Sequence, residues 1–444
     1  MTQLIVSMSK NGIIGHNNKL PWDCEEELSL FNQLTMNKTI IVGRKTCMNL
    51  PILPDRNVFV MTNTFNIRES NNIVRCIDND ILRRCTTSDY IIAGGAEIYK
   101  LVLQLPMFIK TVHLSVMKLQ EPIKGDTFFD IKWLCDFVID TKVEHDHFTR
   151  YTLKLCHSEE HQYLQLVNRI LSTNTLKNTR SGKTLSVFHD NFTFDLQKGF
   201  PLITTKKMFI RGIIAEFIFF IKGQTDTTIL SDQEVNIWKG NTTREFIDNK
   251  GLPYNVGVMG PMYGYQWRFF NAPYSIDVNG RPFKPKGGVD QLSNVLHLIK
   301  NDPTSRRILL TSYNPSQAEE GVLYPCHSII VQFYVHDNHL DMFVYNRSQD
   351  IGLGVPFNIA SSSLLLLTVA KLSGKIARNL HMTMGDAHIY EEHIEALRDQ
   401  LSRIPYDFPT MSISDNLTLD NITPDMFTLT KYHSHGPIRM HMKE

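Results

Sequence analysis

The sequence predicts two folded domains in tandem, an α/β domain first and an α+β domain after it. Three observations carry that expectation. A chain of 444 residues exceeds what one hydrophobic core ordinarily serves. The amino-terminal region sets β-rich runs ahead of helical stretches and includes IIAGGAEIY at 91–99, a strand that passes through two glycines into a helix. Toward the carboxy terminus, a pair of runs rich in β-branched and aromatic residues, 328–335 and 340–345, flanks a turn at Asp337-Asn338 and leads to an apolar helix at 356–372.

Composition bounds the function before any motif does. Hydrophobic residues make up 42%, and 46 Lys+Arg balance 45 Asp+Glu to a net +1. No global field gathers nucleic acid or a membrane surface, so any anion site is local. The seven cysteines are an odd number. Six of them, Cys24, Cys47, Cys76, Cys85, Cys135 and Cys156, contain no CxxC pair, and Cys326 stands alone, which fits a reducing, cytoplasmic setting. The start, MTQLIVSMSK, lacks a charged region followed by an apolar run, and the apolar stretches 213–221 and 364–370 are too short for a bilayer.

From the start of the chain, residues 3–8 are a β-rich run closed by Asn11-Gly12. A helix follows, with Asp23 as its expected N-cap and Glu26 at capping-box spacing. Three glutamates follow Cys24, and helical periodicity puts only Glu27 on the stripe with Phe31 and Leu34. A rim glutamate is the bland alternative; a buried one would have a raised pKa and would suit hydrogen bonding to a polar heterocycle. Gly94-Gly95 ahead of a helix offers free N–H groups and a positive dipole end to a pyrophosphate. Arg44 and Lys45 at another helix start suit a 2′-phosphate, hence NADP rather than NAD.

These features, with GIIGHNNKLPW at 12–22 and VGRKT at 42–46, resemble dihydrofolate reductase. The resemblance implies a mixed, mostly parallel sheet flanked by helices, with Glu27 assisting protonation of the pterin while NADPH delivers hydride. It places Trp22 and Phe31 at the folate and Arg56 in the segment that holds the folate tail carboxylate. Thr46, Thr62, Gly94, Gly95, Ala96 and Tyr99 join Arg44 and Lys45 at the cofactor. Ser7 and Ala93 depart from the usual pattern. Residues 126–129 and 148–155 look like the closing strands, giving a reductase domain at 1–156 and a junction at 157–161. That junction has no Pro/Gly/Ser-rich tether, so packed domains are expected. His157 and His161 fit an HxxEH pattern without an apparent third ligand, and no metal is expected.

In the second domain the two hairpin runs should pair antiparallel with partner positions summing to about 675, which sets Arg347 roughly opposite Ser328 and close to Cys326. A guanidinium beside a thiol lowers its pKa, making Cys326 a candidate nucleophile; a buried structural cysteine is the alternative. Ser348, Asp350, Gly352, Gly354 and Asn358 put polar groups and glycines ahead of an apolar helix, at a cost in burial. Glu216 is the lone charge in the apolar run 213–221, and such a residue is either partnered or functional.

Pro-Cys-His at 325–327, then RSQDIGLGVPFNIA at 347–360, resembles the active-site signature of thymidylate synthase, as do DPTSRR at 302–307, GPMYGYQWR at 260–268 and GDAHIY at 385–390. The resemblance implies an α+β synthase domain at 162–444. There Cys326 adds to C6 of dUMP, and 5,10-methylenetetrahydrofolate supplies the one-carbon unit and the hydride. Arg180, Arg306, Arg307 and Arg347 form a clamp for the phosphate dianion, Arg306 and Arg307 serving a partner subunit, so a homodimer through this domain is expected. Glu216 organises proton transfer, Trp238 and Tyr263 flank the site, His327 adjoins the nucleophile, Asn358 meets the pyrimidine edge, and His388 and Tyr390 hold the ribose. Asn346 and Gln349 replace a usual Gln and Cys, the loop at 178–184 shifts its glycines, and the tail ends Lys443-Glu444 rather than in small apolar residues. Together the two resemblances imply the fused reductase and synthase of protozoa and plants, acting on dUMP and folates with no need of a membrane or nucleic acid.

Overall fold

The computed structural model describes residues 2–442 except 52, 63–72, 77–89, 105, 107–108, 120–122, 156–157 and 174, with backbone alone at 73–76. Cys85, Cys156, His157, Lys443 and Glu444 lie outside the described residues. The chain divides into two compact units, Met1–Ser158 with Ile404–Asp407, and Glu159–Arg403 with Phe408–Glu444.

The first unit is built on β1 (Thr2–Ser9), β2 (Ile13–Gly15), β3 (Thr39–Gly43), β4 (Asn57–Met61), β5 (Ile73–Cys76), β6 (Tyr90–Ile92), β7 (Ile109–Met117), β8 (Thr127–Phe128), β9 (Phe137–Glu144) and β10 (Phe148–Leu155). Eight of these form one sheet in the order β5-β4-β3-β6-β1-β7-β10-β9, and β2 pairs with β8 separately. From β5 to β7 every pairing is parallel. β10 runs antiparallel to both β7 and β9. Such a sheet must be apolar on both faces, and β3 shows how: Ile40 and Val42 join Val58 and Val60 in one cluster, while Ile41 joins Leu4, Val6 and Ile92 in another.

Helices α1 (Glu25–Thr35), α2 (Arg44–Asn49) and α3 (Ala96–Leu103) carry the residues singled out above. The capping box does not form. Cys24 is the N-cap of α1 and makes no side-chain cap bond. Glu26 instead meets His145 Nδ1 at 2.7 Å, a partner brought by the β9–β10 turn that local spacing could not reveal. The stripe is as expected, with Glu25 and Glu26 exposed and Glu27 only 5% exposed.

The second unit opens with α4 (Glu160–Leu171), two residues ahead of the expected start. Glu160 is fully buried and accepts bonds from the amide and hydroxyl of both Thr204 and Thr205. Its strands are β11 (Lys177–Thr179), β12 (Gly182–Asp195), β13 (Leu309–Thr311), β14 (Ile330–His336), β15 (His339–Asp350) and β16 (Ile376–Tyr390), with β17 (Thr410–Ile413) and β18 (Phe427–Thr430) in a small sheet apart. The main sheet has the order β11-β12-β16-β15-β14-β13, and β15·β16 is its one parallel pairing. The helices that matter here are α5 (Ile210–Ile221), α6 (Gly264–Phe269) and α7 (Gly354–Ser373).

The hairpin pairs Ile330 with Tyr345 through to His336 with His339, the anticipated register. A parallel pair needs a crossover, and α7 provides it between β15 and β16. That helix is long and apolar enough to cross a membrane by composition, yet thirteen of its residues are buried in the unit's core. It ends on Gly374 at φ 70°, the left-handed cap that glycine supplies at little cost. The loop expected at 178–184 is instead a tight hairpin. β11 pairs with β12 from Lys177–Thr184 to Thr179–Gly182, Arg180 and Ser181 form the turn, and Gly182 takes φ 118°.

Candidate active sites

In the first unit a cleft of roughly 190 Å³ opens beside α1. Glu27, Leu28 and Phe31 of α1 line it with 5–7 of β1, Thr46 and Leu50, 93–95 and Tyr99. Glu27 has its carboxyl in this apolar wall, and burial pushes its pKa up, held back by a hydrogen bond from Ser115 and the charge of Arg150. Arg150, itself 7% exposed, donates from Nη1 to Ser115 Oγ at 2.9 Å. Neither residue was legible beforehand, because β10 meets β7 only in the folded sheet. Trp22 Nε1 is buried without a partner, an orphaned donor that fits a bound polar molecule.

Two expected binding residues are partly engaged by the protein itself. Arg56, 4% exposed, donates from Nε to Thr35 Oγ1, from Nη1 to the Pro54 carbonyl and from Nη2 to the Asn32 carbonyl and Oδ1. This ties it to the end of α1 and, among the described residues, leaves one Nη1 N–H unengaged. Tyr99 donates its hydroxyl to the Ile5 carbonyl at 2.7 Å, which commits its one donor and leaves the oxygen able to accept. The residues expected at the cofactor gather at two helix starts. α2 and α3 both start on glycine, Gly43 and Gly95, and Gly43 N donates to Gly94 O at 2.7 Å. A Cβ on Gly95 would lie 3.1 Å from Thr46 Oγ1, so the backbone stays bare where a phosphate would approach the free amides of α3. Lys45 is exposed and Arg44 half-buried at the start of α2, while Thr62 follows β4.

In the second unit Cys326 lies just ahead of β14. Arg347 N donates to its carbonyl at 3.0 Å and Ser348 N at 3.4 Å, so the hairpin register brings the pair together as anticipated. The Arg347 side chain donates from Nε to Pro325 O at 2.7 Å and from Nη2 to Tyr324 O at 3.1 Å. Tyr263 contacts the thiol from the other side, with its hydroxyl 3.6 Å from Sγ. Its backbone holds φ 44°, a costly region for a bulky residue, at the N-cap of α6. His327 stacks on the Tyr263 ring at 4.3 Å, and burial pulls its pKa down to about 4, so it is neutral near pH 7.

One expectation is corrected. Burial outweighs the attraction of Arg347 and the Tyr263 hydrogen bond, so the Cys326 thiol has a raised pKa rather than a lowered one. The clamp also divides. Tyr390 senses the charges of both Arg180 and Cys326, with Ser181 against its hydroxyl. Arg306 and Arg307 are exposed in the turn before β13. Leu309 pairs with Gln332 and Thr311 with Ile330, so Arg307 lies near Tyr334, at the end of β14 away from Cys326. Along β15, six positions from Arg347 beside Cys326 to Asp341 beside Tyr334, that separation is roughly 20 Å at about 3.3 Å per residue.

Glu216, expected to be partnered or functional, accepts from Trp238 Nε1 at 2.8 Å. Burial pushes its carboxyl up to about 7. A carboxyl raised in the folded protein contributes stability that is complete below its ordinary 4.5 and lost as pH rises through about 7. At most about 3 kcal/mol is involved, at 1.36 kcal/mol per pKa unit. Glu216→Gln keeps an acceptor for Trp238 but cannot ionise, so its unfolding midpoint should exceed the parent's at pH 8 and approach it at pH 5. Equal pH dependence in the two proteins would contradict this assignment.

The remaining residues gather at the ends of β15 and β16. His388 and Tyr390, two apart on β16, share a face with ring centroids 5.2 Å apart, and His388 Nδ1 meets Asp386 at 2.7 Å. Asp350 accepts from Gly352 N at 2.8 Å and shapes the entry to α7. Asn358, in the first turns of α7, donates from Nδ2 to Gln349 Oε1 at 3.0 Å. Asn346 accepts from Ser328 N at 2.7 Å, while its Nδ2 is buried without an acceptor. Lys206, unmarked in the sequence, is 5% exposed, donates to Gly352 O and is pulled down to about 8 by burial.

A buried acid in an apolar cleft, and a cysteine with an arginine and a tyrosine beside it, fit a two-domain enzyme of folate and nucleotide chemistry. Family comparison agrees along the whole chain: the dihydrofolate reductase family matches residues 1–159 and the thymidylate synthase family residues 161–444. The bifunctional dihydrofolate reductase-thymidylate synthase of Paramecium tetraurelia is 35% identical, over 99% of this chain and 98% of its own length. That of Zea mays is 32% identical over 99% and 96%, and that of Plasmodium chabaudi 37% over 88% and 66%. The chain belongs to the bifunctional dihydrofolate reductase-thymidylate synthase family. It reductively methylates dUMP to dTMP with 5,10-methylenetetrahydrofolate and reduces dihydrofolate with NADPH.

Proposed function

We propose that Cys326 is the nucleophile of the synthase half and Glu27 the acid of the reductase half. The observation that carries this reading is the Cys326 thiol against the Tyr263 hydroxyl, with His327 stacked on that tyrosine and Arg347 held to the Cys326 carbonyl. Cys326 Sγ releases its proton to solvent and, as thiolate, bonds to C6 of dUMP while the C5–C6 π pair moves toward C5 and O4. Bound 5,10-methylenetetrahydrofolate supplies the one-carbon unit and the hydride. Arg180 and Arg347 grip the phosphate, Ser348 and Asp350 shape its rim, and His388 with Tyr390 holds the ribose hydroxyl. Asn358 reads the pyrimidine edge, Glu216 holds a proton near the folate, and Trp238, Tyr263 and His327 wall the site.

In the reductase half Glu27, kept neutral to higher pH by burial, hydrogen-bonds and assists protonation of the pterin. Trp22 and Phe31 flank that ring, and the free Nη1 N–H of Arg56 meets the tail carboxylate. Bound NADPH supplies the hydride; Arg44 and Lys45 take its 2′-phosphate, and Thr46, Thr62, Gly94, Gly95, Ala96 and Tyr99 line its wall. The reductase domain is taken as 1–156, the junction as 157–161 and the synthase domain as 162–444, in a cytoplasmic enzyme. A coupled assay with dUMP, 5,10-methylenetetrahydrofolate and NADPH tests the pair. dTMP should appear with matching NADPH consumption, and dTMP without it would remove the reductase half.

The synthase half works as a homodimer. Arg306 and Arg307 are too far along β14 to serve their own Cys326, and the same sheet face exposes Ile330, Tyr334 and Phe343, the apolar surface a two-fold partner would cover. Each phosphate site is then completed by Arg306 and Arg307 of the partner subunit. Co-refolded Cys326→Ala and Arg307→Ala chains should form dTMP although each alone is nearly inactive. A mixture no better than its components would refute shared sites.

A further inference from the structure

We propose that Gln349 is a positioning residue that sets which way the Asn358 amide faces, and so makes the synthase site read uracil rather than cytosine. This rests on the reading that Asn358 meets the pyrimidine edge. Gln349 stands on β15 and is 1% exposed. Its Nε2 donates to the Ser348 carbonyl at 3.2 Å. A carbonyl can only accept, so this bond fixes the amide with Oε1 turned the other way. Oε1 then accepts from Asn358 Nδ2 at 3.0 Å. An acceptor there forces the Asn358 amino group toward Gln349 and leaves its Oδ1 and second N–H for a ligand.

The polarity matters because an asparagine amide is nearly symmetric in shape. Turned by half a circle it fills the same space with donor and acceptor exchanged. Uracil offers a donor at N3 and an acceptor at O4; cytosine offers an acceptor at N3 and a donor on its 4-amino group. Asn358 held with Oδ1 toward N3 matches uracil on both atoms and opposes cytosine on both. Freed from Gln349, it can turn and accommodate either base. A site that leaves buried polar groups unpaired against the wrong ligand discriminates strongly, so the lock sets specificity without touching the substrate.

The test uses the full-length enzyme with Gln349→Met, close in volume but without amide polarity, and Gln349→Glu, which keeps an acceptor toward Asn358. KM and kcat for dUMP are measured with inhibition of dTMP formation by dCMP, and dihydrofolate reduction serves as the control. Gln349→Met should raise KM for dUMP about tenfold and strengthen dCMP inhibition several-fold, the change expected from losing one hydrogen bond, with kcat falling less. Gln349→Glu should discriminate within about twofold of the parent. Unchanged discrimination in the Met variant overturns the proposal, and so does a Glu variant with a clear loss of discrimination. Asn358→Ala separates the layers: if it leaves dUMP and dCMP recognition unchanged, the pyrimidine-edge reading itself fails, whereas an effect there with none in Gln349→Met removes only the positioning role.

Discussion

Cys326→Ala should lower dTMP formation by on the order of 10⁴-fold or more while dihydrofolate reduction with NADPH continues at the parental rate. The substitution is structurally mild. What Cys326 gives the fold is its carbonyl, which accepts from Arg347 N and Ser348 N, and alanine keeps it. Tyr263 loses only a 3.6 Å sulfur contact and keeps its bond from the residue-326 amide. An activity loss therefore reports chemistry and not unfolding. Product chromatography and NADPH consumption on one preparation decide it; residual synthase activity above a tenth of the parent's, or loss of both activities, would displace the thiol from its role.

Glu27→Ala should do the converse, slowing dihydrofolate reduction by about 10²–10³-fold with dTMP formation intact. Its pH behaviour gives a sharper readout. Burial raises the Glu27 pKa, so its neutral form persists above the usual carboxylate range, and the parental rate should fall as pH rises through that raised value. Glu27→Gln, uncharged at every pH, should be slow and flat over the same interval. The linked stability has the same sign: it is complete below the ordinary carboxylate value and declines as pH rises through the folded one. A Gln variant with the parental pH profile would mean that another group titrates.

Local pattern made much of this legible. The β-hairpin register followed from two strand runs and one turn, and it alone placed Arg347 at Cys326. Helical periodicity separated Glu27 from its two neighbours, and a lone charge in an apolar run singled out Glu216. What escaped depends on contacts between distant segments. Arg150 and Ser115 reach Glu27 only because β10 folds onto β7. Glu26 takes His145 and not its own helix end, because a buried or half-buried partner outcompetes a weak cap. The thiol's upward shift was missed for a related reason: a charge can be inferred from nearby sequence, but desolvation is a property of the whole packed site.

The crossover from β15 through α7 to β16 has a consequence for assembly. Arg347 and Ser348 precede that long buried helix, and His388 and Tyr390 follow it. The hairpin is a local structure that can form early, whereas its parallel neighbour must wait until about twenty helical residues have docked, since loop closure precedes the contacts that reward it. On the roles proposed above, a nascent chain thus acquires its phosphate grip and its sugar grip at different moments. The nucleotide can bind tightly only after the later step, and every increment of its affinity holds that late-arriving strand in place.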